Sequence, residues 1–146
     1  MGDRLLGMKS DEEISVEWWW ARVEGKRAVA SRLVADRKYC REAWMACGTA
    51  VEFGMKAAIM KRARFNTWPD KATRPDLHTH DLRALLKALG VDPKHLNRGL
   101  KIKLKTAMDW DRSHDYAISS MERRVARAMY DACFGADGVV EWLKSL

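Results

Sequence analysis

Proline and cysteine are both scarce in this chain of 146 residues, three of each. An odd cysteine count with no Cys-x-x-Cys pair argues against a disulfide framework. Cys40 and Cys47 stand seven apart, so on a helix they share a face, and Cys133 lies in another apolar stripe. Three buried, reduced thiols are expected. No apolar run approaches the roughly 20 residues of a membrane span. The opening "MGDRLLGMKSDEE" lacks the long apolar core of a signal peptide. A cytoplasmic protein without membrane contact is the expectation. Glycine-rich phosphate loops of the GxxxxGK or GxGxxG type are absent, and so is the GxSxG elbow of serine hydrolases. No cofactor is implied.

Acidic residues are scarce in the middle of the chain. Residues 25–105 carry 19 basic and 7 acidic side chains, a net +12, whereas residues 1–24 sum to −3 and residues 106–146 to −2. The basic stretches "EGKRAVASR", "MKRAR" and "RGLKIKLK" make a zone that attracts phosphate. A solvated lysine-rich face is the competing reading. Tryptophan, by contrast, is plentiful, with seven copies. "WWW" at 18–20 cannot all face inward on one helix, so Trp18 is expected to face a partner, a second subunit or solvent.

The periodicity is helical almost throughout. Val16, Trp20, Val23, Ala30 and Val34 form one stripe, widened by Trp19 and Leu33. Cys40, Trp44, Cys47, Val51, Met55, Ala58 and Ile59 form the next, in a segment rich in alanine and glycine. Interior glycines lower helix propensity by about 1 kcal/mol each, which close approach of a neighbouring helix offsets. Glu52 and Lys56 are spaced to pair along that helix. Residues 65–78 are the longest loop. Thr79 then reads as the N-cap of a helix carrying Leu82, Leu85, Leu86 and Leu89, with Asp81 in its first turn and Gly90 as its stop. "LKIKLK" at 100–105 alternates like a strand but has no partner strand, so it reads as helix. Ser119 and Glu122 match a capping box at the start of a helix whose stripe is Ile118, Met121, Val125, Met129 and Ala132. "FGADG" at 134–138 kinks or breaks that helix. The domain reading is an N-terminal segment, 1–13, and one all-α domain, 14–146, an up-and-down antiparallel bundle of five or six helices.

Two clusters carry possible chemistry. His78, His80 and Asp81 spell HxHD. Residues two apart on a helix do not share a face, and no further His/Cys cluster completes a ligand set, so no metal is expected there. Arg112 and His114 share a polar link with Asp111, Asp115 and Tyr116, a set that suits phosphate binding or acid–base work. A solvated interhelical loop is the plainer reading.

"YCREAWMACGTAVEFGMKAAIMKR" (39–62) followed by "THDLRALLKALG" (79–90) resembles the HEPN domain, the nucleotide-binding domain of higher eukaryotes and prokaryotes. Val51, Glu52, Lys56 and Ala57 stand at the family's Val-Glu-x-x-x-Lys-Ala positions, and Thr79, His80, Asp81 and Leu82 at its third-helix entry. "VVEWLKSL" is similar to the family's last helix. The resemblance implies a helical bundle, commonly a homodimer, in toxin–antitoxin or defence modules, often beside a partner nucleotidyltransferase. Many members are metal-independent ribonucleases, with about four to six residues between an arginine and a histidine. Here one residue separates Arg112 from His114. Arg74 and His80 have the spacing but straddle a loop. The favoured expectation is therefore a non-catalytic module binding nucleotide, RNA or a partner, with Lys56, Arg112, His114 and Tyr116 in its cleft. A ribonuclease toxin using Arg112 and His114, or Arg74 and His80 as the fallback, is the alternative. A structural oligomerisation protein is the third.

Overall fold

The computed structural model describes residues 14–112, 114 and 120–146. Among them lie six α-helices: α1 (Val16–Leu33), α2 (Cys40–Ala63), α3 (Leu82–Leu89), α4 (Arg98–Met108), α5 (Arg123–Phe134) and α6 (Val139–Ser145), with no strand. The lysine-rich 100–105 segment is helical, inside α4. Side-chain caps start several of these helices. Ser15 Oγ accepts from the Trp18 N–H at 3.1 Å, and Asn97 Oδ1 from the Leu100 N–H at 2.8 Å, each satisfying a donor the helix itself cannot.

Helix α2 is the axis of the fold. It touches α1, α3, α4, α5 and α6, and 16 of its 24 residues are buried. A single buried face was expected. Burial nearly all round results because Ala43, Ala46, Gly48, Ala50, Gly54, Ala57 and Ala58 let neighbours approach from several sides. Helix α1 runs antiparallel to α2. Trp19 near its start meets Phe53 at 5.4 Å, while Leu33 at its end shares a groove with Glu42 and Met45.

Trp18 is half-buried rather than turned outward. Its ring meets Trp19 edge-on at 5.0 Å, and the Arg22 guanidinium lies over it at 5.3 Å. Helix α5 keeps Met129 and Ala132 of its expected stripe in the core and departs from it at Val125. Ala126, Met129, Ala132 and Cys133 are buried, while Val125 is 39% exposed. Glu122 occupies the cap position of α5 without a side-chain capping bond, and its proposed partner Ser119 lies outside the described residues. The "FGADG" segment breaks the helix, with Asp137 at a φ of 56°. All three cysteines are free and buried. Hydrogen bonding with Cys47, and then burial, push the Cys133 thiol well above its ordinary value.

Gly48 has a specific task. A Cβ on this residue would overlap the Trp110 indole, so the absence of a side chain lets Trp110 seat directly on α2. That contact anchors the chain just before Asp111 and Arg112. Gly48→Ala would gain about 1 kcal/mol of helix propensity but must displace a buried ring, at about 1–3 kcal/mol or more. Urea denaturation should therefore show a net loss of stability. A stabilised variant would mean that Trp110 is not seated there.

Candidate functional site

Lys56 and Glu52 are the only charged residues between Ala43 and Met60, and both lie in the core. One turn of α2 separates them, and Lys56 Nζ donates to Glu52 Oε2 at 2.9 Å. Neither charge is tolerable there alone. The ammonium also lies 5.4 Å from the Trp19 ring centroid and 5.8 Å from that of Trp68, whose π-faces attract it. Those rings meet edge-on at 5.3 Å. Lys56 is thus boxed inside the protein, not presented to a cleft.

The second occupant of the Glu52 carboxylate is His80. Its Nδ1 lies 2.9 Å from Glu52 Oε2, with the carboxylate side chain 1% exposed and the imidazole 57% exposed. The backbone makes this reach possible. Asp81, not Thr79, is the N-cap of α3: its Oδ1 accepts from the Arg83 N–H at 3.0 Å, and its backbone is extended. Thr79 Oγ1 accepts from the Asp81 N–H at 3.1 Å instead. His80 therefore precedes the helix, and its side chain turns back onto α2.

His78 and His80 accordingly serve different partners. His78 Nε2 donates to the Pro69 carbonyl at 2.7 Å and its ring packs near Trp68 at 5.9 Å. This closes the 64–81 loop onto itself, while the Trp68 N–H donates to the Ile14 carbonyl at 2.9 Å. Among the described residues, no three His, Cys, Asp or Glu side chains are grouped to hold a metal ion.

Arg112 arrives from the far side. One of its guanidinium nitrogens lies 3.5 Å from His80 Nδ1. Both contacts of Nδ1 cannot be hydrogen bonds of the same kind. A carboxylate needs an N–H on Nδ1, and an arginine N–H would need a lone pair there. The 2.9 Å contact to a buried carboxylate decides the matter. Nδ1 carries the proton, Nε2 is directed away from Glu52, and Arg112 is a neighbouring charge whose fork is not consumed by the imidazole. His80, Arg83, Asp111, Arg112 and Thr79 line a cavity of about 340 Å³. A second, of about 490 Å³, is lined by Arg22, Lys26, Glu42 and Phe53 and shares Arg112 with the first. Both are in the size range of small-ligand sites.

The remaining candidates are placed elsewhere. His114 turns its ring onto Trp44, 4.8 Å away and edge-on, with Nδ1 3.1 Å from the Asp111 carbonyl. Its own carbonyl accepts from Arg41 at 3.2 Å. Arg74 forks onto Asp76 with bonds of 2.9 and 2.8 Å. That hydrogen-bonded pairing holds the Asp76 carboxyl below the usual range and raises the Arg74 guanidinium. The structure thus brings together Arg112 from one expected pair and His80 from the other. Tyr116 lies outside the described residues. Glu52 as the support of His80, and Arg83 in the cavity wall, were not singled out from sequence as site residues. One signal was present: two charges alone in the small-residue, mostly apolar stretch of α2 from Ala43 to Met60.

Comparison with known proteins finds no family model, no curated protein and no solved structure that matches this chain.

A buried charge left without its partner is strongly destabilising. Lys56→Ala should lower the unfolding free energy by about 3–5 kcal/mol. The double variant Glu52→Gln, Lys56→Met should recover a large part of that loss in urea denaturation. If the double variant is no better than Lys56→Ala, the pair is not what holds this region.

Proposed function

We propose that this protein is a HEPN-like helical module that binds the phosphate of RNA or a nucleotide between Arg112 and His80, without catalysis, in a toxin–antitoxin or defence setting. The observation that carries this reading is the pairing itself. An exposed imidazole is fixed through Nδ1 by a buried carboxylate, and an arginine stands at its side in an open cavity. A guanidinium fork matches two phosphate oxygens, and in its imidazolium form, with an N–H on both nitrogens, the ring would offer the same group a further donor from Nε2. The basic middle of the chain adds long-range attraction, which is salt-sensitive. The all-helical fold is the one the HEPN resemblance implies, and with it come the proposed homodimer and a partner nucleotidyltransferase.

A second reading, a metal-independent ribonuclease, is favoured by one feature of the same site. Carboxylate support of Nδ1 is the arrangement that orients a histidine for proton transfer at Nε2. In this role His80 would accept the proton of a ribose 2′-hydroxyl. Arg112 would meet the charge developing on the phosphate. His114 has no part in it, because its ring is committed to Trp44.

Fluorescence anisotropy with a labelled single-stranded RNA at low salt separates these possibilities. Arg112→Ala should weaken binding at least about tenfold, equivalent to about 1.4 kcal/mol, and His114→Ala should leave it nearly unchanged. Binding that ignores Arg112→Ala would sink the proposal. RNA cleavage in the presence of EDTA, abolished by His80→Ala, would replace the binding reading with the ribonuclease.

A further inference from the structure

Helices α3 and α4 enclose a groove next to this site. Its floor is apolar, made by Leu86, Leu104, Met108 and Pro93, and it encloses about 470 Å³. Its rim is cationic: Arg83, Lys94, Lys101 and Lys105, with no acidic side chain among the described residues that line it. The pattern is written in α4, where Lys101, Leu104, Lys105 and Met108 fall at i, i+3, i+4 and i+7 and so share one face. Lys101 and Lys105 are exposed while Leu104 is 3% exposed, so the charges stand around a buried floor. Arg83 and Met108 also line the His80–Arg112 cavity. The two hollows share a wall.

An apolar floor ringed by positive charge fits an anion with a flat apolar body. We infer that the groove holds the nucleotide adjoining the one whose phosphate lies at His80 and Arg112. Its base rests on Leu86, Pro93 and Met108, and the flanking phosphates meet Arg83, Lys101 and Lys105. This rests on the RNA-binding reading above and deepens it by adding a base subsite. The floor is aliphatic and offers no hydrogen-bonding side chain to a base edge. The subsite therefore requires a base without reading which one it is, because sequence is read through base-edge contacts.

The test uses the full chain and a labelled single-stranded hexaribonucleotide at low salt. Lys101→Glu with Lys105→Glu should weaken binding at least about tenfold and flatten its salt dependence, because phosphate contacts are lost. Lys61→Glu with Arg62→Glu makes the same charge change on exposed residues at the end of α2, and should cost less than about threefold. A ribose–phosphate hexamer lacking bases should bind the wild-type chain several-fold more weakly than the normal oligomer. The inference is overturned if both charge-reversed variants lose binding equally, or if the abasic oligomer binds as well as the normal one. If Arg112→Ala removes binding while the Lys101/Lys105 variant keeps it, the groove fails and the phosphate site stands. If wild-type protein binds no RNA at low salt, the phosphate-site reading itself fails and the groove falls with it.

Discussion

Carrying a lysine ammonium and a glutamate carboxylate into the middle of a helix bundle constrains everything packed around them. Desolvating either charge alone would cost several kcal/mol. The Glu52–Lys56 bond at 2.9 Å offsets part of that cost, and the surroundings offset more of it, although Glu52 Oε1 is buried without a hydrogen-bond partner. Trp19 comes from α1 and Trp68 from the long loop, and both present rings to the ammonium. His80 comes from the entry to α3 and meets the same carboxylate oxygen. Three segments distant in sequence are thereby referenced to one turn of α2. This accounts for two of the seven tryptophans, and for a long loop that is pinned at both ends.

The same constraint gives the site its form. A buried carboxylate is a fixed acceptor, since its rotamers are locked by packing. The histidine it holds presents a defined nitrogen to the solvent side. Arg112 is positioned independently, through Trp110 seated on Gly48. Two anchors on one helix, Gly48 and Glu52, thus set the distance between the arginine and the imidazole. Spacing a recognition pair from one rigid element is more accurate than building it on loops.

Much of the fold was legible in the sequence because hydrophobic periodicity reports burial directly. The face of α2 from Cys40 to Ile59 is buried as its spacing implied, and α4 is helical despite its alternating lysines. The one-position error on α5 lies at Val125: it is the more apolar residue, yet the buried position is that of Ala126 beside it. The site was legible only in pieces. Arg112, His80 and Lys56 stand out as residue types in suggestive places. Their grouping depends on where His80 leaves the α3 helix and on which way the 109–114 link folds, and neither is a local property. Reading Thr79 as the cap placed His80 inside a helix, from which it could not have reached Glu52, 28 positions earlier. Spacing alone gives Glu52 and Lys56 as a pair along the helix and leaves Lys56 free to line a cleft; its burial follows from neighbours that close on nearly all sides of α2.

The central claim is that the buried carboxylate of Glu52 holds His80 by a proton on Nδ1, beside Arg112. Long-range proton–nitrogen NMR spectra of the histidine rings test this most directly. The account predicts a His80 imidazole protonated at Nδ1, with that proton protected from exchange and lost from the protected set in Glu52→Gln. An imidazole bare at Nδ1 and protonated only at Nε2 would contradict it.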